Sequence, residues 1–409
     1  MKRFTRVRPL VCMVVGAVAC EHATAPPPVP ASIQLSAASV TGTVGTAVAP
    51  SPTFTVVDRD GKALANVAVT IAVGSGGGTL TGAPTASGTG AVSIGSWVLG
   101  PVPGANTVVI SAAGVPPAVV TADAKSAYSI DLRFFGAPMD PAVQAAFQSA
   151  KARIESIVTA DVPDVTAGSF DAGLCGATGG GIIALPVDDI IIYAAVDSID
   201  GPGKILGSSG PCYVRTPSNL PLVSIMHFDK ADLAGMVADG RINDLILHEM
   251  LHSLGVGTLW AAKGLVQNAG TVNTAYTGAG GIAGCQAQGG ATACATSAAL
   301  EACGGAGTRD VHWREPTSCT TTGGSELLGG FGFHTELMTG FVSPAGTPNP
   351  LSRMTIGSLA DLGYTVNLGA ADAYAVPGSA AELYADIATA QGHGAFQINE
   401  TLVTPMFGV

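Results

Sequence analysis

Charge is what this chain has least of. Charged residues make up 11% of its 409 positions and aromatics 5%, and no cluster of Lys or Arg occurs beyond residue 8. With a formal net charge of −11, the chain lacks the basic stripe that neutralises phosphates, which excludes nucleic acid as a partner. No apolar run is long enough to cross a bilayer as a mature helix; residues 10–19 reach about half the span required. No cysteine pair has C-x-x-C spacing, so neither a thiolate zinc knot nor a dithiol redox motif is indicated. Against these absences stand 55 Gly and 26 Pro, a composition that fits extracellular β-rich structure with long loops better than a helical cytosolic enzyme. The length allows two or three domains.

The N-terminus reads as an export signal. Lys2, Arg3, Arg6 and Arg8 form a charged leader, residues 10–19 an apolar core, and Ala17-Val18-Ala19-Cys20 resembles a bacterial lipobox. Cleavage before Cys20 with lipid on its sulfur gives an outer-membrane or cell-surface lipoprotein; ordinary cleavage after Ala19 gives a secreted protein. Either way the protein is exported, and the only expected membrane contact is the lipid anchor at Cys20 of the first reading. Past Cys12 and Cys20 six cysteines remain: Cys175, Cys212, Cys285, Cys294, Cys303 and Cys319. An even set in an exported chain reads as disulfides. No Cys lies between Cys20 and Cys175, so a thiol switch from that region is not expected.

The expected organisation is a signal peptide over residues 1–20, a Pro-rich linker over 21–31, an all-β sandwich over 32–125 and a second domain over 126–409. Strands are expected at 53–58, 67–73, 91–99, 106–112 and 118–122, with a hairpin turn at Asp60-Gly61. The runs Asp58-Arg59-Asp60-Gly61-Lys62-Ala63-Leu64-Ala65-Asn66-Val67, Gly76-Gly77-Gly78-Thr79-Leu80 and Trp97-Val98-Leu99-Gly100 resemble bacterial immunoglobulin-like domains of the invasin type. That resemblance carries no chemistry. From residue 128 the pattern changes: a strand at 128–135, a helix opened by Asp140-Pro141 and running to about residue 158, and strands at 189–196 and 222–228.

The motif that carries chemistry is His248-Glu249-Met250-Leu251-His252. Random order of seven His and nine Glu gives ~0.002 such H-E-x-x-H matches, so chance is a poor explanation. On a helix, positions four apart lie about 40° from each other. His248 and His252 can therefore share one zinc ion, with Glu249 placed to act on its water as general base. Leu247, Met250, Leu251 and Leu254 should bury the other side.

A catalytic zinc needs a third protein ligand and an open position. In the compact metzincin signature it comes three residues after the Gly; here Gly255 keeps the Gly place but Thr258 stands in the His slot. The third ligand must come from further on: His312, His334 or His393, or the carboxylates Glu301 or Glu326. The order of motifs resembles the leishmanolysin family of metzincins and its bacterial relatives, which insert a segment before the third His. The matching stretches are His248 to Gly255, Gly257-Thr258-Leu259-Trp260, Gly307-Thr308-Arg309-Asp310-Val311-His312-Trp313-Arg314-Glu315, Glu336-Leu337-Met338-Thr339-Gly340-Phe341 and residues 351–364. The resemblance implies an α+β zincin domain in which His312 completes the metal set and Met338 is the Met-turn methionine. One departure, a long Cys- and Gly-containing stretch at 316–333, keeps His334 as a rival ligand. His227 reads as structural.

The expected function is an exported zinc-dependent endopeptidase acting on protein or peptide, the substrate lying extended along the edge of the strand at 222–228. The alternative from another class is a surface adhesion or binding protein with a degenerate zinc site; a third is an amidase or lipase-like hydrolase using the same water.

Overall fold

The computed structural model describes residues 28–315, 320–321, 324–325, 332–377, 396–398, 400–403, 405 and 407–408. The leader, the lipobox with Cys20 and the first part of the linker lie outside these residues, as do Cys319, Glu326 and His393.

Nine strands occupy the described residues 28–125: β1 (Ser32–Leu35), β2 (Ser39–Thr43), β3 (Thr53–Val57), β4 (Val69–Ser75), β5 (Thr79–Thr81), β6 (Val92–Ser93), β7 (Ser96–Val98), β8 (Gly104–Ala112) and β9 (Ala118–Lys125). They form one sheet in the order β2-β9-β8-β4, a second in the order β1-β3-β6, and a β5-β7 pair. Alternate residues point inward, so Phe54, Val56, Val108, Ile110, Val120 and Ala122 meet around Trp97 in a core of their own. The expected turn forms: the Asp58 carboxylate accepts from the N–H groups of Asp60 and Lys62, and Gly61 adopts φ +78°. Residues 91–99, expected as one strand, are two. The break is at Gly95, where φ is +103° and a Cβ would stand 2.5 Å from the Thr81 carbonyl oxygen.

The second region has mixed α/β architecture. Its elements are β10 (Ile130–Phe134), α1 (Pro141–Ile157), β11 (Ile190–Asp197), β12 (Gly207–Val214), β13 (Pro221–Asp229), α2 (Lys230–Ala238) and α3 (Ile242–Ser253). Asp140 caps α1 by accepting from Ala142 N–H at 2.7 Å, with Pro141 at the first turn. Strands β10, β11 and β13 are parallel and β12 runs antiparallel to β13. Side chains alternate between two cores: Ile190, Ile192 and Ala194 pack with α1 and α3, whereas Ile191 and Tyr193 pack with Phe170, Leu222 and Ile225 on the other face.

One expectation is overturned here. The strand at 222–228 is not an edge, because β13 lies between β11 and β12. Strand β12 went unread because Gly207-Ser208-Ser209-Gly210-Pro211 has almost no intrinsic strand preference. It is held by its ladder to β13 and by the disulfide from Cys212 to Cys175.

Beyond α3 the chain makes short pieces: β14 (Val266–Gln267), β15 (Ala275–Tyr276), α4 (Ala279–Ala287), β16 (Ala298–Ala299), β17 (Thr320–Thr321), β18 (Gly324–Ser325), β19 (Phe341–Val342), α5 (Arg353–Leu362), β20 (Phe396–Gln397), β21 (Glu400–Leu402) and β22 (Phe407–Gly408). Helix α5 lies in the stretch matched at 351–364. It packs backbone to backbone on α4, where a Cβ on Gly284 would stand 2.2 Å from the Arg353 carbonyl oxygen. A second disulfide joins Cys285 to Cys294, and Cys303 is disulfide-bonded as well. Among the described residues no helix is long and apolar enough to cross a membrane.

Candidate metal centre

Helix α3 delivers the first two donors. Ile242, Leu245, Ile246, Met250 and Leu251 are buried along it, which fixes its roll and points His248 and His252 into the interior, both fully buried. Leu254 N–H still bonds back to the Met250 carbonyl, and the helix then ends at Gly255, φ +102°. Thr258, in the slot where the compact signature has its third histidine, instead donates its hydroxyl to the His252 carbonyl at 2.8 Å.

The chain next makes a long excursion and returns with His312. Several contacts close it. Gly257 adopts φ +74°, and a Cβ there would meet the Val311 carbonyl oxygen at 2.2 Å, so only glycine lets the two strands of chain touch. Trp260, just past the helix, packs on Trp313 with ring centroids 4.5 Å apart, and Tyr276 lies against both; such pairs contribute roughly 0.5–1.5 kcal/mol each beyond area. Glu301 N–H donates to the His312 carbonyl at 2.9 Å, and Trp313 N–H to the Met338 carbonyl at 3.0 Å.

The three Nε2 atoms of His248, His252 and His312 end 3.0–3.1 Å from one another. Each Nδ1 faces a backbone carbonyl: Leu337 for His248 at 2.7 Å, Val256 for His252 at 2.8 Å and Thr308 for His312 at 3.1 Å. A carbonyl only accepts, so each Nδ1 carries the proton and each Nε2 presents a lone pair. Three lone pairs converging in a buried space repel unless a cation sits among them, and all lie within reach of one ion at the ~2.0–2.1 Å typical of imidazole ligation. The donor set fits a metal.

Glu249 is buried beside this set. Ser209 of β12 donates its hydroxyl to Glu249 Oε2 at 2.5 Å. Two residues along the strand, and therefore on the same face, a Cβ on Gly207 would lie 3.3 Å from Glu249 Oε1. Nothing in the sequence flagged Ser209; one serine in a Gly/Ser-rich run carries no pattern.

The other candidate ligands have other partners. Glu301 accepts from the N–H groups of Ala302, Cys303 and Glu315, bracing the His312 segment rather than reaching the histidines. His334 faces Glu315, Nδ1 to Oε1 2.9 Å. Burial pushes the Glu315 carboxyl up, and His334 pulls it down. His227 faces Asp197 at 3.0 Å. Met338 is fully buried in a turn held by Glu336, whose carboxylate accepts from Met338 N–H at 2.6 Å, Ser352 Oγ at 2.7 Å and Thr355 Oγ1 at 2.6 Å. Burial raises the Glu336 pKa while these hydroxyls oppose the rise. Thr355 Oγ1 also accepts from the Trp313 indole at 2.7 Å, tying the turn to the residue after His312.

No family model matches the chain, and no curated protein matches it. Among solved structures, the chain is similar to a Bacteroides ovatus GH5 xyloglucanase in complex with a XXXG heptasaccharide, at 10% identity and a TM-score of 0.18. The alignment covers 42% of this chain and 38% of that one. A likeness this weak carries no argument about fold or chemistry.

Proposed function

We propose that residues 126–409 form a zinc-dependent endopeptidase domain of the leishmanolysin-like metzincin kind, exported and preceded by an immunoglobulin-like module. The observation that carries this reading is the convergence of three Nδ1-protonated imidazoles, their Nε2 atoms 3.0–3.1 Å apart, beside a buried glutamate. Three neutral nitrogen ligands with a remaining open position suit zinc better than harder cations. When bound, the ion supplies the positive charge that makes water acidic near neutral pH and polarises a carbonyl.

The chain's own residues do the rest. His248, His252 and His312 hold the ion, their orientation set by the carbonyls behind them. Glu249 accepts a proton from the attacking water and returns it to the leaving amine. Ser209 positions Glu249 through Oε2. Met338 and Glu336 hold the turn that supports His248 and Trp313. A peptide lies extended beside β12, the strand above Glu249, and not beside β13.

The disulfides Cys175–Cys212 and Cys285–Cys294 support export. The sandwich of residues 32–125 favours the second reading, an adhesion or binding protein whose metal site is idle; the intact triad and Glu249 weigh against it. Metal analysis together with cleavage of denatured casein tests the choice. About one zinc per chain with cleavage that a chelator abolishes supports the peptidase, and bound zinc without cleavage supports the binding protein.

A further inference from the structure

An extended peptide beside β12 needs that strand's outer hydrogen-bonding edge, and the chain's own backbone already occupies it. Strand β21 runs parallel to β12, with Glu400, Thr401 and Leu402 in register with Gly207, Ser208 and Ser209. Val403 N–H donates to the Ser209 carbonyl at 2.9 Å. Strand β22 resumes the pairing at Tyr213 and Val214. Upstream, β20 pairs antiparallel with β19, Ile398 N–H donates to the Gly340 carbonyl at 2.9 Å, and Ile398 is fully buried.

These two anchor points flank the metal centre. Gly340 follows Met338 by two residues, in the turn whose Leu337 carbonyl orients His248; Ser209 holds Glu249. Val403 lies five positions after Ile398, a reach of at most ~17 Å, so the two anchor points are close along the chain. Gly210 is suited to this contact. Its φ is +147°, and a Cβ would stand 2.3 Å from the Val403 carbonyl oxygen, so a side chain there would drive the segment off the strand.

We propose that the strands at 396–397, 400–402 and 407–408 form an internal plug on the strand edge that a peptide substrate requires, so that peptide must displace it and hydrolysis by the full chain is slowed. This rests on the peptidase reading of the same site. It needs no cysteine, in keeping with the missing thiols between Cys20 and Cys175. The competitor that displaces the plug is another extended peptide, because the contacts are backbone hydrogen bonds open to any sequence.

The test uses the full, metal-loaded chain carrying Glu249→Gln, so that peptide is not consumed, with a site-specific cleavage sequence inserted between Ala385 and Asp386. The probe is a fluorescein-labelled peptide of residues 396–408, followed by anisotropy before and after cutting. Release of an internal occupant should tighten capture by about tenfold or more, and Gly210→Ala in the cut chain should weaken it again. Equal capture before and after cutting, or capture indifferent to Gly210→Ala, overturns the plug. Casein hydrolysis by the same chain with Glu249 restored judges the peptidase reading separately. Hydrolysis unchanged by cutting sinks the plug alone; capture that rises on cutting, without hydrolysis in any form, sinks the peptidase and leaves a gated peptide-binding groove.

Discussion

Among the described residues, the sandwich of residues 32–125 buries two polar side chains, Ser87 and Asn106. Both serve backbone: Ser87 donates to the Leu64 carbonyl, and Asn106 accepts from Gly100 N–H and donates to the Gly104 carbonyl. The region beyond residue 126 buries Asp189, Arg215, Asp229, His248, Glu249, His252, Glu301, His312, Arg314, Glu315 and Glu336. Burying an ionisable group costs several kcal/mol unless partners offset it, so the second region spends stability where the first spends none. Most of that expense is scaffolding. Arg215 donates to the carbonyls of Pro163, Asp188, Asp189 and Pro221, and Arg314 to those of Leu300 and Val272. These groups hold irregular chain in place, and the histidines and Glu249 sit on what they hold. The contrast sets apart the region that buries ionisable groups from the one that buries none.

The sharpest way to test that division is to remove one member of the triad. His312→Ala should lose bound zinc and all measurable peptidase activity together, since two helix histidines neither hold the ion tightly nor fix its open position. His334→Ala should keep most of both, because His334 is engaged with Glu315. Zinc titration against a competing chelator on both variants decides it. Metal loss in the His334 variant alone would show that the 3.0–3.1 Å triangle is not the site.

Glu249→Gln keeps shape and burial but removes the carboxylate. Zinc content and melting temperature should stay near wild type while kcat falls by ~10²–10⁴. Residual activity above about a tenth would mean that water is activated without this carboxylate.

Much of this centre was legible in the sequence because its parts have fixed spacing. An H-E-x-x-H motif on an apolar helix reads without a structure, and Asp140-Pro141 announced α1 through cap chemistry that acts within a few residues. The choice of His312 over His334 needed a resemblance, because the closing contacts, Gly257 on Val311 and Trp260 on Trp313, span some fifty residues and leave no periodic trace. Strand β12 was invisible for a related reason. Its residues have little strand preference, and its place is imposed by β13, by Cys175 and by the segment at 400–408. Placing the substrate edge on β13 followed directly from missing β12.

Ser209 was lost with that strand, and its effect should be smaller. As a positioning residue it restrains the Glu249 carboxylate by one charge-assisted hydrogen bond, worth roughly 1.5–3 kcal/mol when buried. Ser209→Ala should lower kcat by about tenfold, the lower end of that range, with KM and zinc content unchanged. Ser209→Thr, which keeps a hydroxyl on the same carbon, should recover most of the loss. A KM change of the same size, or no rescue by threonine, would mark Ser209 as a packing residue of β12.

The smallest effect is expected from the largest deletion. The sandwich core, Val48 through Ala124, shares no residue with the two cores beyond it, and no side chain of residues 32–125 belongs to the His248, His252, His312 group. The boundary is marked on both sides. Strand β9 ends its ladder at Lys125, paired with Thr43, while Ser126 already donates its hydroxyl to the Glu155 carbonyl on α1 at 2.7 Å, and Ile130 N–H donates to the Glu155 carboxylate at 2.7 Å. A chain of residues 126–409 therefore retains the contacts that position the three histidines, and loses a unit whose buried Ser87 and Asn106 bond within it. It should bind one zinc and cleave casein within about twofold of the full chain, a difference of under ~0.5 kcal/mol in activation free energy. A soluble, zinc-loaded fragment that stays inactive until the sandwich is added back would show that the two regions share the catalytic work, and the contrast drawn from their buried polar groups would fail with it.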